Sequence, residues 1–435
     1  MQSIRASPLR GPARPRARCR CHAAHEAGRS LFVFGLGYST LGLIRQAEAA
    51  GGWAHITSTS RRPERLQQLE TPAHTVARYD PAAGVELDAP AAAALSRASH
   101  VLTSIPPAGL PLYDPVTRAQ LRALRARARA AAAGDAPPLD WLGVLSSTSV
   151  YGDHGGGWVD ESTPPATASS RGIPRLEHER SWEALARELS LPLHIFRLAG
   201  IYGPGRSVLT SVQSAAAGGD GPSAGQRRRG RQRFISRVHA ADIAATLLAS
   251  MEEPGPDPLG ARLLAAGGGG GGGGSGSGGA AAGGAAPDRA SGAAATITSS
   301  SSGEPLGSGG GGGGEGGGGA AGGGFVAVFN VADDDPAPRD EVEAFARQLL
   351  GLPAAERPAE PDGGDGGDGG GGRAGGRGLE EKRVWNEGIK RRLGVALQFP
   401  TYREGLAAIA AGDARPFLGP ADWRAIGGRG AEAGG

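Results

Sequence analysis

Cysteine is almost absent from this chain, and so is any long apolar run. The only two cysteines in 435 residues are Cys19 and Cys21, both within the first thirty residues. If that leader is removed, the mature protein has no disulfide, no thiol nucleophile and no thiolate metal site, and no metal centre is expected. No apolar stretch approaches the roughly 18 residues that a membrane-spanning helix needs, so we expect no membrane partner.

A large excess of one charge is also missing, because the formal net charge is only +3. The charge is uneven, however, since residues 1–29 contain many arginines and a single acid, Glu26. The arginines are Arg5, Arg10, Arg14, Arg16, Arg18, Arg20 and Arg29. This pattern is typical of an organellar transit peptide, and the Gly/Ala/Arg bias favours the chloroplast over the mitochondrion. An ordinary basic tail, and then a cytoplasmic protein, is the alternative.

Hydrophobic periodicity is lacking in two stretches, Ala265–Gly324 and Pro353–Gly378, which consist mostly of Gly, Ala, Ser, Asp and Pro. Such segments cannot bury a core, so we predict disordered insertions. The predicted division is a transit peptide at 1–29, a nucleotide-binding domain at 30–258, an insertion at 259–324, a C-terminal lobe at 325–352 and 379–425, a linker at 353–378, and a tail at 426–435.

The first informative motif of the sequence lies at Ser30–Gly42. The buried-strand pattern of Leu31–Phe34 stops at a Gly-x-Gly turn and resumes as an apolar helix, which predicts the first βαβ unit of a dinucleotide-binding domain. Glycines let the backbone approach a pyrophosphate, and the helix N-terminus supplies free N–H donors. The candidate cofactor residues are Gly35, Gly37, Tyr38, Ser39 and Thr40. Thr40 occupies the third glycine position of the motif, so an ordinary strand-to-helix turn stays open as an alternative.

The next strand, Trp53–Thr59, lacks the acidic residue that favours NAD at its end. Ser60, Arg61 and Arg62 follow instead, and hydroxyl and guanidinium groups suit a 2′-phosphate. We therefore predict NADP(H) as the preferred cofactor and NAD(H) as the alternative. The other interpretation is that both arginines merely open the next helix in solvent.

Further strands at Thr75–Tyr79 and His100–Ile105 alternate with helices such as Ala119–Ala133. Asp80 could accept a bond from the adenine amino group, and Ser104 is a further candidate for cofactor contact. This alternation predicts an α/β fold, a Rossmann-type doubly wound parallel sheet with a small C-terminal substrate lobe and disordered Gly-rich insertions.

Three ordered motifs follow: WLGVLSSTSVYG at Trp141–Gly152, RLAGIYGPGR at Arg197–Arg206, and VHAADIA at Val238–Ala244. Together they resemble the extended short-chain dehydrogenase/reductase superfamily, the NAD-dependent epimerase/dehydratase group. Leu102–Pro107 and Ser149–Glu161 are similar to motifs of its atypical YeeZ-like subgroup. The resemblance implies nicotinamide-dependent chemistry on a small molecule, such as a sugar nucleotide or another anionic metabolite.

The resemblance also implies a catalytic serine and a Tyr-x-x-x-Lys pair. Ser147 matches the serine, but Arg171 stands at the tyrosine position and Arg175 at the lysine position. Arg175 can still bond a ribose, whereas a guanidinium with a pKa above about 12 does not release a proton near neutrality. Tyr151 is an alternative proton donor, as are His154, Asp153 and Glu161 near the same strand end.

Three arginines are candidates for substrate binding. Arg171 could bind an anionic substrate if another residue supplies the proton. Arg206, in the Pro-Gly-Arg turn, could contact a phosphate or carboxylate of the substrate. Arg237 lies close to the position of the arginine that the resemblance implies before the Val-His pair.

Two functions stay open. The protein is an NADP-dependent oxidoreductase or epimerase/dehydratase-like enzyme without the usual pair, or it is a catalytically inactive NADP(H)-binding scaffold or sensor, with RNA association in the chloroplast as a variant. Arg227–Arg233 could neutralise phosphates in a salt-dependent way. The run lacks interleaved aromatic residues for base stacking, so nucleic acid is the less favoured partner.

Overall fold

The computed structural model describes residues 28–107, 114–136, 138–218, 232–252, 325–354 and 380–427. Most of the predicted leader, the insertion at 259–324, most of the linker at 353–378 and Arg227–Arg231 lie outside these ranges.

The strands, in chain order, are β1 (Arg29–Phe34), β2 (Trp53–Ser60), β3 (His74–Arg78), β4 (His100–Thr103), β5 (Trp141–Ser147), β6 (Trp158–Val159), β7 (Pro192–Leu198), β8 (Gly200–Tyr202), β9 (Arg237–His239), β10 (Phe325–Val331) and β11 (Arg383–Val384). The helices are α1 (Tyr38–Ala50), α2 (Ala89–Arg97), α3 (Pro115–Ala133), α4 (Gly172–Leu189), α5 (Val208–Ala216), α6 (Ala240–Met251), α7 (Arg339–Leu349), α8 (Glu387–Arg392), α9 (Tyr402–Ala410) and α10 (Pro420–Ile426).

Seven strands form one sheet in the order β10-β7-β5-β4-β1-β2-β3, and every neighbouring pair is parallel. Buried side chains cover both faces of this sheet, which is why β1 and β5 are continuous apolar runs. The strand order reverses between β1 and β4, and ligands of open α/β sheets collect beyond the strand ends at such a point. The predicted Rossmann-type fold is confirmed.

The structure revises the predicted position of one segment. Strand β10, assigned from the sequence to the C-terminal lobe at 325–352, completes the main sheet, because Phe325–Val331 pairs in register with Pro192–Leu198. Only α7 from that segment packs with α9 in a separate apolar cluster. A buried strand and a lobe strand have the same local pattern, so only the pairing partner decides between them.

Two other boundaries also differ. The predicted lobe segment at 379–425 opens with strand β11, which pairs with β6, and its first helix, α8, begins only at Glu387. Arg29, assigned to the leader, opens β1, where its guanidinium lies 4.2 Å from the Trp53 ring centroid and pairs with Glu252. Contacts with residues that are distant in sequence set both of these boundaries.

The C-terminal segment packs against α1. Arg45 of α1 donates to both carboxylate oxygens of Asp422, at 3.1 and 2.9 Å, and both side chains are almost fully buried. A Cβ at Gly42 would lie 2.6 Å from Pro416 Cγ. Gly42, two residues late for the glycine motif, therefore allows close packing of this segment.

Candidate functional site

The turn after β1 needs a glycine at Gly35. Its φ is +92°, and a Cβ there would lie 2.7 Å from Ser104 Oγ. The N–H of Gly35 donates to Thr59 Oγ1 at 2.9 Å, and its carbonyl accepts from Ser104 Oγ at 2.8 Å. The ends of β1, β2 and β4 are thus joined at this one residue.

Thr40 stabilises the same turn. Its buried hydroxyl accepts from the N–H of Gly37 at 2.8 Å and donates to the carbonyl of Gly35 at 2.9 Å. The threonine at the third motif position therefore holds the loop in shape by hydrogen bonds. The first N–H groups of a helix have no partner within the helix, and such groups favour an anion.

A cleft of about 950 Å³ opens beside this turn at the carboxyl edge of the sheet. Gly35, Gly37 and Ser104 line its base, and the end of β2 supplies Ser60, Arg61 and Arg62. Asp80 lines the far side. The structure thus brings together all the predicted adenosine-side residues.

Arg78, which is not among the site residues predicted from the sequence, lines this cleft as well. It is the last residue of β3 and is exposed. The signal was available, because the carboxyl ends of neighbouring parallel strands meet at the same edge. Three guanidinium groups, those of Arg61, Arg62 and Arg78, therefore border one cleft.

A second cleft, of about 260 Å³, shares Gly37 and Ser104 with the first. It combines hydroxyl groups with two guanidinium groups and lies where β5 and β7 end. The predicted residues that line it are Tyr38, Ser39, Thr40, Ser104, Ser147, Arg175 and Arg206. This cleft extends the first one along the sheet edge.

Arg175 and Ser147 both line the second cleft. Ser147 ends β5 and caps a short 3₁₀ turn, where its Oγ accepts from the N–H of Ser149 at 3.2 Å. Arg175 Nη1 donates to the carbonyl of Leu145 at 3.2 Å, and burial lowers the pKa of Arg175. Both groups face a cleft that can hold an anion.

Tyr38 and Arg206 close the other side of the second cleft. The hydroxyl of Tyr38 donates to the carbonyl of Pro204 at 2.8 Å, and the Arg206 guanidinium lies 5.4 Å from the centroid of the Tyr38 ring. Burial raises the pKa of Tyr38, and Arg206 opposes part of that effect. The tyrosine is therefore a neutral hydrogen-bond donor that joins the glycine turn to the Gly-Pro-Gly-Arg turn.

Tyr151 lies in the core, and its prediction as a proton donor is corrected. Its side chain is completely buried, its hydroxyl donates to Asn330 Oδ1 at 2.8 Å, and it accepts from Arg197 Nη1 at 3.0 Å. Burial raises its pKa to about 12. Arg197 is paired in turn with the buried Glu179 at 2.8 Å, so this tyrosine belongs to an internal network.

Two predicted arginines also lie outside both clefts. Arg171 is exposed at the residue before α4. Arg237 donates to the carbonyls of Ile235 and Ala337, both at 2.8 Å, and burial lowers its pKa. Arg237 therefore holds two chain segments together, which corrects its assignment to substrate binding.

The other acids near the β5 end are engaged elsewhere. Glu161 accepts from the N–H of Asn330 at 2.8 Å, and burial raises its pKa. Asp153 accepts from the N–H of Glu381 at 2.9 Å, and His154 contacts the carbonyl of Tyr151 at 3.1 Å. None of the three lines either cleft.

The described ranges contain no group of three or more His, Cys, Asp and Glu side chains that could hold a metal ion. No helix in the same ranges has the length and apolarity needed to cross a bilayer.

Comparison with solved structures gives extensive matches. A functionally unknown conserved protein from Silicibacter pomeroyi DSS is 30% identical, with a TM-score of 0.55, and the match covers 89% of this chain and 99% of that protein. dTDP-glucose 4,6-dehydratase from Bacillus anthracis in complex with NAD is 13% identical, with a TM-score of 0.53 and coverage of 88% and 96%. MoeE5 in complex with UDP-glucose and NAD is 17% identical, with a TM-score of 0.51 and coverage of 88% and 97%.

No protein-family model matches the sequence, and no curated protein matches it. The dehydratase and MoeE5 structures establish the fold alone, because their identity to this chain is low. The bacterial protein is similar at the sequence level over nearly its whole length. This chain therefore belongs to the same family as the conserved Silicibacter pomeroyi protein, and its fold is that of the NAD-dependent epimerases and dehydratases.

Proposed function

We propose that the protein binds NADP(H) across the carboxyl edge of its sheet. The observation that carries this proposal is the cleft of about 950 Å³ beside the glycine turn, bordered by Arg61, Arg62 and Arg78. Support comes also from two proteins of the same fold, the dehydratase and MoeE5, which were crystallised with NAD. The fit is sound, because the open backbone at Gly37 leaves room for a pyrophosphate and the arginines suit a 2′-phosphate.

Titration with both reduced cofactors tests the proposal. Fluorescence of NADPH and NADH is followed with the wild type, with Arg61→Ala/Arg62→Ala, and with Arg65→Ala as a control that lines neither cleft. We expect tighter binding of NADPH than of NADH, and a loss of that difference in the double variant alone. Equal affinities for the two cofactors in the wild type would contradict the NADP(H) assignment.

For the second cleft we propose oxidoreductase or epimerase-like activity on an anionic substrate. A nicotinamide cofactor, when bound, supplies or accepts hydride. Ser147 would hold the substrate oxygen by a hydrogen bond, and Arg175 would stabilise negative charge that develops there. No acid lies at position 171, so the proton for that oxygen comes from solvent. MoeE5 was crystallised with UDP-glucose, and a sugar nucleotide is accordingly the first substrate class to try.

A second candidate function is an NADP(H)-binding scaffold or sensor without turnover. The burial of Tyr151 and the engagement of Glu161, Asp153 and His154 elsewhere favour it. NADPH oxidation across a panel of sugar nucleotides and anionic carbonyl compounds separates the two. Turnover that Ser147→Ala abolishes supports the enzyme, whereas stoichiometric binding without oxidation of NADPH supports the scaffold.

We also propose that residues 1–29 direct the protein to the chloroplast, as their many arginines and single acid suggest. Fusion of this segment to a fluorescent protein, expressed in cells that contain chloroplasts, tests the proposal. Fluorescence restricted to the chloroplast is expected. A diffuse signal, or one in mitochondria, would contradict the proposal.

We further assign the chain to the YeeZ-like subgroup. The assignment rests on the motifs at Leu102–Pro107 and Ser149–Glu161. In its support, Ser104 of the first motif borders both clefts. Structures of proteins with both motifs should share the buried tyrosine and the arginine at the lysine position. Structures of such proteins without the buried tyrosine and this arginine would contradict the assignment.

A further inference from the structure

The C-terminal segment of residues 416–426 packs against Tyr38, which closes one side of the second cleft. The Phe417 ring lies 4.9 Å from the Tyr38 ring, centroid to centroid, with the two planes 56° apart. The Trp423 ring lies 5.8 Å from the Phe417 ring in an edge-to-face arrangement. Neither Phe417 nor Trp423 lines a cleft, so contact with a ligand does not account for this aromatic packing.

Trp423 also contacts the Gly-Pro-Gly-Arg turn, residues 203–206. Gly205, the residue before Arg206, has a φ of +70°, and a Cβ there would overlap the Trp423 indole. Gly203 and Arg206 close the turn with two backbone hydrogen bonds, each 3.0 Å long. Because the turn is short and closed, contact of the indole with Gly205 fixes the backbone from which the Arg206 side chain extends.

The C-terminal segment is bound to α1 by contacts that do not involve Arg206. The buried carboxylate of Asp422, the neighbour of Trp423, accepts from Arg45 at 3.1 and 2.9 Å. It also accepts from the N–H of Leu418, the neighbour of Phe417, at 2.9 Å. One carboxylate thus holds the backbone beside both aromatic rings, so the indole is a fixed support for the turn.

The charge at Arg206 favours an anionic ligand. Within the ranges that the structure describes, no carboxylate forms an ion pair with Arg206 or with Arg175, and both side chains line the second cleft. A guanidinium group can donate two parallel hydrogen bonds to one phosphate or carboxylate, but only when its orientation is fixed. The position of the turn therefore matters for binding.

We propose that Trp423 is a positioning residue of the second cleft. It holds the turn so that the Arg206 guanidinium, 5.4 Å from the centroid of the Tyr38 ring, meets the anionic group of the substrate. Trp423 acts through Arg206 and does not itself contact the substrate. The inference rests on the proposed use of this cleft for an anionic substrate, and it makes the C-terminal segment a determinant of the affinity for that anion.

Calorimetric titration of inorganic pyrophosphate into the full chain saturated with NADPH tests the inference, because the bound cofactor then occupies its own pyrophosphate position. Arg206→Ala should weaken pyrophosphate binding by about tenfold to about a hundredfold, the value of hydrogen bonds to charged groups. Trp423→Ala should weaken it by about five-fold or more, and Arg206→Ala/Trp423→Ala should bind no more weakly than Arg206→Ala. Trp385→Ala, which removes a tryptophan that lines neither cleft, should leave the affinity unchanged.

Trp423→Phe keeps an aromatic ring beside Gly205 and should bind pyrophosphate within a few-fold of the wild type, which separates loss of the contact from a folding defect. Unchanged pyrophosphate affinity in Trp423→Ala would overturn the role of Trp423 and leave the anion cleft intact. So would a loss in the double variant that exceeds the loss in Arg206→Ala. A wild-type protein that binds NADPH but no pyrophosphate would instead refute the anion cleft itself, and this inference with it.

Discussion

Alanine at Gly35 and alanine at Gly37 should have different effects, although the two glycines are only two residues apart. At Gly35 the φ of +92° costs a residue with a Cβ about 1–2 kcal/mol. The new Cβ would also lie 2.7 Å from Ser104 Oγ, and the displaced hydroxyl would lose its bond to the Gly35 carbonyl, at about 1 kcal/mol. We expect Gly35→Ala to lower the free energy of unfolding by about 2–3 kcal/mol.

Gly37 is different because it has an extended backbone, with a φ of −130°, and no atom lies within 4 Å of a Cβ built there. Its replacement by alanine should cost less than about 1 kcal/mol, the difference expected at a helix N-cap. The same open space is where a pyrophosphate would approach the backbone. Gly37→Ala should therefore fold like the wild type and bind NADPH at least tenfold more weakly.

Urea denaturation gives the free energy of unfolding of each variant, and NADPH fluorescence gives its affinity. The comparison of the two variants separates damage to the fold from obstruction of the cofactor. Unchanged NADPH affinity in a folded Gly37→Ala protein would refute the proposed pyrophosphate position. A fully stable Gly35→Ala protein would refute the account of the turn.

Four further predictions follow from buried groups and from chain organisation. Asp422→Ala should lower the free energy of unfolding by about 3 kcal/mol, because it strips buried Arg45 of two bonds, whereas Arg45→Met/Asp422→Leu should recover most of that loss in urea denaturation. Burial raises the pKa of Asp333, so ionisation of this carboxyl group destabilises the fold. Asp333→Asn should therefore melt at a higher temperature than the wild type at pH 7. This difference in melting temperature should disappear as the pH falls to about 4, where the wild-type carboxyl group is protonated in the unfolded chain as well. Tyr151→Phe should cost about 1–3 kcal/mol in the same denaturation assay and leave NADPH affinity unchanged. Deletion of Ala265–Gly324 should preserve the melting temperature and NADPH binding, because the entropic cost of closing a loop depends only weakly on its length.

The outcomes that would count against these predictions differ. A loss below about 1 kcal/mol in Asp422→Ala would mean that the remaining Glu48 contact, at 2.9 Å, satisfies Arg45 by itself. A stability gain in Asp333→Asn that persists at pH 4 would trace to something other than the carboxylate charge. Loss of NADPH binding in Tyr151→Phe would indicate that Tyr151 contributes to the cofactor site.

The sequence by itself determined the features that depend on neighbouring residues. The apolar run Leu31–Phe34 and the glycine that follows dictate a buried strand and a left-handed turn. Ser147 and Arg175 could be matched to a motif, and they line one cleft because Ser147 ends β5 and Arg175 lies near the start of α4, the next α-helix in the chain. Periodicity and turn chemistry act over a few residues, which is why they can be read without a structure.

Only the tertiary structure decided which side chains face a cleft and which lie in the core. Tyr151 and Arg237 have the residue types of a functional site, yet Asn330 holds Tyr151 in the interior and Ala337 holds Arg237 away from both clefts. Burial and pairing between segments far apart depend on how the whole chain packs. Local patterns therefore specify the strands and turns, while long-range contacts specify which residues those elements expose.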